Sequence, residues 1–483
     1  MPSFEQFLPL FSSLYSQWTG HLPTAVVPLA GSGSQRLYVR ITSGESCVIG
    51  TFSNNTEEND SFVYLSGLLK SKGFSVPEVL IISDDHHAYL QEDFGDESLF
   101  DLVQLAWYQG SFNESVIRLY QDAIKLLIRF QLIAPQGLDF SKCYPAACFD
   151  EAAIKDDLNY FRYYFLKMHP IEVNETRLSL AFDSLTKHLM KIPPEHFMYR
   201  DFQSRNIMVR QGKLHFIDFQ GARKGPLPYD LVSLLYQVKA RIPAKIRKQL
   251  LEYYLDELRK HGIAHVSLFE ETYPYFVYLR LLQVLGAYGY RGIIQRKPHF
   301  LESIPYALET LGQHLGKHPL PPDCQYLHEI LTEIIKLPYP FPKVINHDGE
   351  PLLLRIRSFS FKKKGIPEDE TGNGGGFVFD CRSLPNPGRE TQFKMLTGRS
   401  KEVIAFFEEK PEVAAYLNHV YQLIDQAVSD YKERRFADLM VSFGCTGGQH
   451  RSVYCAEKLS QYLRKKHPDI KIQLRHCEMD QQT

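Results

Sequence analysis

YRDFQSRNIMVRQGKLHFIDFQGARKGPLPYD, residues 199–230, is the stretch on which the fold turns. Around two short apolar segments, 207–209 and 214–217, it places an acid at Asp201, an amide at Asn206 and a second acid at Asp218. That order and spacing fit a phosphoryl-transfer loop of the pattern H-R-D-x-x-x-x-N with a metal-binding Asp on the following strand turn. In such a loop the first Asp, here Asp201, receives the proton of the attacking hydroxyl. The amide and the later carboxylate, here Asn206 and Asp218, hold magnesium. Mg²⁺ takes hard oxygen ligands in tight octahedral geometry, and these two side chains supply oxygens while leaving places for water and phosphate. A hairpin between them brings both ligands to one end of a small sheet. Asp230 opens the next apolar helical stretch and is expected to cap it and to orient the loop. The competing reading is a polar turn before a half-buried hairpin, which needs three positions and two strand contexts to agree by accident.

Working upstream, residues 1–28 repeat apolar side chains (Phe4, Phe7, Leu8, Phe11, Leu14, Trp18) at helical spacing, so an amphipathic helix is expected to open the chain. Gly31, Ser32, Gly33 and Ser34 form a small-residue turn before an alternating strand. Between two strands such a turn lets backbone N–H groups approach phosphate oxygens. The strand 46–51 is where the pattern V-A-I-K places a phosphate-pairing lysine, and the matching position is Gly50. Arg36 or Arg40 on the preceding strand is the candidate for the missing positive charge, and Glu57 or Glu58 for the acid of the next helix. The strand 88–91 runs into an acidic link, and backbone groups from Gln91 through Glu92 and Asp93 to Phe94 are expected to meet adenine. Asp93-Phe94-Gly95 precedes the catalytic loop, so it is not the metal-binding segment. Helical periodicity then runs over 99–191 and again to about 315. An aromatic stretch at 154–168, with Asp157 and Tyr160, reads as core packing or as a wall against an acceptor.

The composition bounds these readings. A chain of 483 residues with 44% hydrophobic and 23% charged content is a folded protein of two or three domains. A net charge of -1 argues against a protein that works by coating nucleic acid. No run approaches the roughly 20 apolar residues of a membrane helix and no leader pattern opens the chain, so a cytoplasmic location without membrane contact is expected. The eight cysteines lack a CxxC pair or a Cys/His ladder and are expected to be reduced thiols.

Proline-dense stretches at 319–323 and 338–342 mark a boundary, after which strands and helices alternate. There, a strand at 438–443 meets a helix at 452–466 through Gly444-Cys445-Thr446-Gly447-Gly448-Gln449-His450-Arg451-Ser452. A glycine-rich strand-to-helix link presents free N–H groups and the positive end of the helix dipole, and Arg451 adds a fork for an oxyanion. This predicts an anion site built from Cys445, Thr446, Gly447, Gly448, His450, Arg451 and Ser452. Asp380, Arg382 and Asn386, at the end of the short strand 376–380, are expected to face the same ligand. Cys445 and Arg451 also carry the spacing of Cys-dependent phosphatases, with Asp380 as the matching acid.

On these residues the chain resembles two families. Residues 1–320, through RDFQSRNIM, IDFQGA, YDLVSLL, LQEDFGD and the Leu285-Gly286 region, resemble the aminoglycoside phosphotransferase-like kinases, and most of all the anomeric N-acetylmuramate/N-acetylglucosamine kinases of peptidoglycan recycling. That resemblance implies ATP, Mg²⁺ and transfer to the C1 hydroxyl of an amino sugar. Residues 351–478, through RIRSFSFKKKGIP, FVFDCRSLPNP, LTGRS and GCTGGQHRSVY, resemble the C-terminal domain of the RNase adapter RapZ. It implies a phosphosugar effector such as glucosamine 6-phosphate, and RNA as an open alternative. Gly388-Arg389 stand where that family shows His-Trp, and Gln203 where many kinase relatives carry His. The expected architecture combines α/β and α+β parts. A two-lobed protein-kinase-like (APH-type) fold, with an N-lobe over 1–96 and a C-lobe over 97–320, is followed by a linker over 321–350. A small α/β domain of RapZ C-terminal type then occupies 351–483. The expected activity is small-molecule kinase; a non-catalytic lobe carrying a sugar-phosphate or RNA sensor is the alternative.

Overall fold

The computed structural model describes residues 4–29, 36–44, 46–263, 266–339, 351–369, 376–433, 436 and 438–479. The chain divides into two compact units, residues 1–340 and 341–483. Among the described residues no helix is long and apolar enough to cross a membrane.

In the first unit, β1 (Ala25–Pro28), β2 (Leu37–Ser43), β3 (Ser46–Phe52), β4 (Val79–Ile82) and β5 (Ala88–Glu92) form an antiparallel sheet in the order β1-β2-β3-β5-β4. Side-chain alternation sorts its two faces. Val39, Ile41, Val48, Ala88 and Leu90 pack with Phe11, Leu14 and Tyr15 of α1 (Leu8–Thr19) in a small core. On the other face Tyr38, Thr51 and Tyr89 lie in register. There Tyr89 stacks on Phe62 of α2 (Thr56–Ser71) at 5.1 Å. The N-cap of α2 is Asn55, whose side chain accepts the Glu58 N–H. The opening segment is not one helix: α1 ends at Gly20, whose φ of 78° only glycine adopts freely, and the edge strand β1 follows.

The helical body runs α3 (Leu99–Tyr108), α4 (Glu114–Ile133), α5 (Glu151–Tyr164) and α6 (Glu175–Leu189). It continues, after the catalytic segment, with α7 (Pro228–Leu235), α8 (Ala244–Lys260), α9 (Val266–Tyr288), α10 (Pro298–Leu301), α11 (Ile304–Lys317) and α12 (Gln325–Ile334). Asn or Asp side chains cap α4, α5 and α6, and a Ser98/Asp101 capping box starts α3. Two hairpin-sized sheets interrupt the helices. One pairs β6 (His196–Met198) with β9 (Arg223–Gly225), and the other pairs β7 (Ile207–Arg210) with β8 (Lys213–Phe216). α12 sends Leu327, Ile330, Leu331 and Ile334 into the same core as α4, α6 and α9. Residues 325–334, read as linker from the prolines around them, therefore belong to the first unit.

The second unit is a parallel sheet in the order β11-β12-β10-β13, formed by β10 (Leu353–Ser360), β11 (Phe377–Asp380), β12 (Asp438–Cys445) and β13 (Lys471–His476). α13 (Lys401–Glu408), α14 (Pro411–Glu433) and α15 (Arg451–Lys466) complete it. The central strands β10 and β12 are buried along nearly their whole length, as a parallel sheet covered on both faces requires. β11 is a half-exposed edge strand. Arg355, within the RIRSFSF string, is buried and ion-paired with Asp369 at 2.6 Å and Asp438 at 2.8 Å.

Candidate active site and anion loop

The β7–β8 hairpin pairs Ile207 with Phe216, and the Ile217 N–H donates to the Asn206 carbonyl, so the residues before β7 and after β8 adjoin. Asn206 Nδ2 donates to the Asp201 carbonyl at 2.9 Å and to Asp218 Oδ2 at 3.0 Å. Gln220 Nε2 donates to the other Asp218 oxygen at 2.8 Å, and Gln203 Nε2 lies 3.3 Å from Asp201 Oδ1. The three residues read from spacing alone thus converge, and two glutamines steady the carboxylates. The Asp201 side chain stays 40% exposed, so its carboxylate can meet a ligand. Surrounding protein pushes that carboxyl up, but the guanidiniums of Arg280, Arg200 and Arg205 outweigh this and hold it below the usual carboxylate range. Arg280 was missed in the sequence. It lies on α9, buried, 3.5 Å from Asp201 Oδ1 and 3.2 Å from the Tyr229 hydroxyl. An arginine inside an otherwise apolar run, FVYLRLL, is the signal that could have exposed it.

The loop is held in a strained shape. Arg200 and Asp218 have φ of 78° and 67°, left-handed values that non-glycine residues seldom adopt. Fully buried Asp230 accepts the Tyr199 N–H at 2.6 Å and the Arg200 N–H at 2.9 Å, which fixes the backbone just before Asp201. It orients the loop as expected but does not cap α7: the N-cap is Leu227, and Asp230 sits in the first helical turn. Burial raises the Asp230 carboxyl to about 7, against the pull of the two N–H donors. Arg200 meets Asp157 through two hydrogen bonds of 2.6 and 2.8 Å and also donates to the Tyr229 hydroxyl. Asp157 is therefore buried behind the loop, not on an acceptor wall, and Tyr160 packs edge-on against Tyr164.

Of the residues expected to contact nucleotide, Gly31, Ser32, Gly33 and Ser34 lie outside the described residues. Gly50 is corrected: a Cβ there would come within 2.6 Å of Phe11 and 2.7 Å of Val39, so position 50 faces α1 and could not present a lysine to α2. Arg40 is engaged at the acidic link after β5, with its Nε 2.7 Å from Asp93 and its Nη1 2.7 Å from Asp96. Asp93 also accepts the Gly95 N–H, Glu92 pairs with Lys70, and Phe94 packs on His215 at 4.3 Å. Among the described residues Gln91 Oε1 is a buried acceptor with no hydrogen-bond partner. Arg36 pairs with Glu58 at 3.3 Å.

In the second unit, Cys445 ends β12 and α15 starts at Arg451, with Gly448 turning the link at φ 69°. Cys445 Sγ accepts the Gly448 N–H at 3.2 Å and lies 3.2 Å from Ser452 Oγ. Burial pushes this thiol up, but the Ser452 hydroxyl and the N–H groups of Ser452, Gly448 and Gly447 prevail and hold it below its usual range. Arg451 is buried and donates to the carbonyls of Arg382 (2.8 Å) and Leu384 (3.3 Å) and to Thr446 Oγ1 (3.3 Å). Its fork therefore ties the 382–384 segment to the loop. Asp380 lies in register with Gly444 and pairs with Arg382 at 2.6 Å. Asn386 accepts the Gly388 N–H, and a Cβ on Gly388 would sit 3.4 Å from the His450 ring. Asp380, Arg382, Asn386, His450 and Arg451 thus gather around one loop, with the Arg451 fork on backbone carbonyls and Arg382 on Asp380.

Residues 25–263 match the APH phosphotransferase enzyme family, and residues 352–480 match the RapZ C-terminal domain. A "Nucleotide-binding protein" of Hahella chejuensis is 36% identical over 139 residues, 29% of this chain and 46% of that protein. One of Glaesserella parasuis is 29% identical over 258 residues, 53% of this chain and 77% of that protein. The chain spans about half the length of most of these curated relatives. Among solved structures, the amicoumacin kinase hAmiN, in complex with AMP-PNP, Ca²⁺ and Ami, aligns with a TM-score of 0.43 and 16% identity over 70% of this chain and 96% of its own. A thermostable mutant of aminoglycoside phosphotransferase APH(4)-Ia aligns with a TM-score of 0.41 and 13% identity over 67% and 98%. With the 199–218 loop and hairpin of the first unit and the glycine-rich turn of the second in the order described, the chain joins a phosphotransferase domain of the APH family to a RapZ C-terminal domain.

Proposed function

We propose that the first unit is an ATP-dependent small-molecule kinase that phosphorylates the C1 hydroxyl of an amino sugar of the N-acetylmuramate/N-acetylglucosamine type. The observation that carries the kinase reading is the convergence of Asp201, Asn206 and Asp218 through hydrogen bonds of 2.9 and 3.0 Å. Asp201 is the general base: its depressed pKa keeps it ionised, and Arg280 beside it fixes the carboxylate in place. Asn206 and Asp218 present adjacent hard oxygens, a donor set that suits Mg²⁺, and they would hold it. Bound there, the ion would neutralise charge on the phosphates. The orphaned Gln91 acceptor beside the hinge fits a ligand bearing N–H donors, as adenine does. A glycine at position 50 does not favour a non-catalytic lobe, because that position faces Phe11 of α1 and Val39.

The amino-sugar acceptor is supported by the sequence strings shared with the anomeric sugar kinases. The second unit is proposed to sense a phosphosugar such as glucosamine 6-phosphate, on the strength of the N–H-rich turn and the charged groups around it. ATP consumption measured against N-acetylmuramate, N-acetylglucosamine and an aminoglycoside tests the whole reading. Turnover is expected with the two amino sugars, and Asp201→Asn is expected to lower kcat by roughly 10²–10⁴-fold at unchanged melting temperature. Acceptor-independent ATP loss, or an Asp201→Asn variant as active as the parent, would overturn it.

A further inference from the structure

Kinases of this architecture pair a β3 lysine with an acid on the following helix to position the nucleotide phosphates. Here the face of β3 that looks toward α2 carries Cys47, Ile49 and Thr51, and none of these is a cation. The charge must therefore come from another strand. We propose that Arg36, held by Glu58, is the phosphate-positioning cation, moved from β3 to the residue just before the neighbouring strand β2. The inference rests on the kinase reading and deepens it.

Three observations place Arg36 there. It stands two residues before Tyr38, and Tyr38 shares a row with Thr51 and Tyr89 on the face that Phe62 covers. Arg36 immediately precedes β2 and reaches the α2 side, where its guanidinium Nη2 lies 3.3 Å from Glu58 Oε1. Glu58 in turn is one helical turn before Phe62. That ring is sandwiched between Tyr89 at 5.1 Å and Phe219 at 4.8 Å, and Phe219 is the neighbour of Asp218. Ser61 Oγ reaches the Gln220 carbonyl at 3.4 Å, so one turn of α2 links the Arg36–Glu58 pair to the segment that carries the second metal-ligand candidate. Finally, Arg40, the cation within β2, is committed to Asp93 and Asp96 on the acidic link after β5.

The chemistry is consistent with this task. The Arg36 side chain is 3% exposed and that of Glu58 is 25% exposed, so the pair is an ion pair taken largely out of water. Such pairs add little to stability and are weakly explained by folding alone. Burial works against the Arg36 charge, but Tyr89, Tyr38 and Glu58 outweigh it, so the guanidinium stays protonated. A planar fork also matches two phosphate oxygens better than an ammonium does.

Calorimetry of the full chain with Mg²⁺–AMP-PNP and, separately, with adenosine tests the assignment. Arg36→Ala is expected to weaken AMP-PNP by roughly tenfold or more and to leave adenosine within about twofold of the parent. Arg36→Lys, which keeps the charge and loses the fork, is expected to fall between. Glu58→Gln is expected to weaken AMP-PNP selectively, and with Arg36→Lys it carries the test should Arg36→Ala not fold. AMP-PNP affinity unchanged in all three, or adenosine affinity falling in step, would overturn the assignment while the kinase reading stood. A parent chain that bound neither ligand would overturn both.

Discussion

Asp230 is asked to do two opposed things: to sit fully buried and to accept two backbone N–H groups. Its carboxyl, raised from 3.8 to about 7, holds a proton in the folded chain that the unfolded chain has already released above about pH 4. Stability should therefore fall as pH rises from about 4 to about 7 and level off above that range. In Asp230→Asn, which cannot titrate, chemical denaturation across this window should show a shallower fall; an unchanged slope would assign the pH dependence to other groups. Asp230→Ala goes further, because it orphans two buried donors at roughly 1–3 kcal/mol each and frees the strained Arg200 backbone. Its melting temperature should drop by several degrees, with kcat falling more than KM because Asp201 loses its register. The triad was legible because its members are close in sequence and their order is the chemistry. Arg280 and Asp157 were not, since they reach the loop across 79 and 43 residues and only the fold brings them there.

Among the elements, what was misread was mostly what was short. β6 and β9 have three residues each and β1 four, too few for alternation to rise above chance, and β1 was absorbed into the opening helix. β13 alternates exposed Lys471, Gln473 and Arg475 with half-buried Ile472 and Leu474 and buried His476, an edge-strand pattern with little apolar signal. Long helices with polar caps, by contrast, lay where their periodicity put them. The face of a strand, not its pattern match, also settled Gly50. If it points at α1 as the Phe11 and Val39 contacts require, Gly50→Ala should overpack that small core and cost about 1–3 kcal/mol. Its AMP-PNP affinity should stay at the parent value; a selective loss of nucleotide binding at unchanged melting would put position 50 back on the nucleotide face. Gly289 makes the same kind of argument between helices. Gly289 directly follows α9, and a Cβ there would lie 1.8 Å from the carbonyl oxygen of Tyr164 at the end of α5, so Gly289→Ala must push the end of α9 off α5. Arg280 rides on α9 and Asp157 on α5, so lost stability should be accompanied by lost turnover, read from thermal unfolding and steady-state kinetics of the same preparation.

At the scale of the whole chain, the two units own separate cores. The apolar cluster built from α2 through α12 shares no residue with the one that Leu354, Ile356, Val441 and Phe443 anchor in the parallel sheet. Separate cores make separate cooperative transitions the expectation, and each proposed ligand should then move only the transition of the unit that binds it. A ligand at about 100 times its Kd adds about 2.7 kcal/mol to the folded state that holds it, a shift of a few degrees for units of this size. Scanning calorimetry of the full chain should therefore show Mg²⁺–AMP-PNP raising one transition and glucosamine 6-phosphate raising the other. Arg451→Ala, which unties the 382–384 carbonyls from the anion loop, should abolish only the second shift. If either ligand moved both transitions together, the units would be energetically coupled, and the phosphosugar would act on the kinase through that coupling. If glucosamine 6-phosphate moved neither, the loop around Cys445 would be a packing device in this chain and the sensing role would fall.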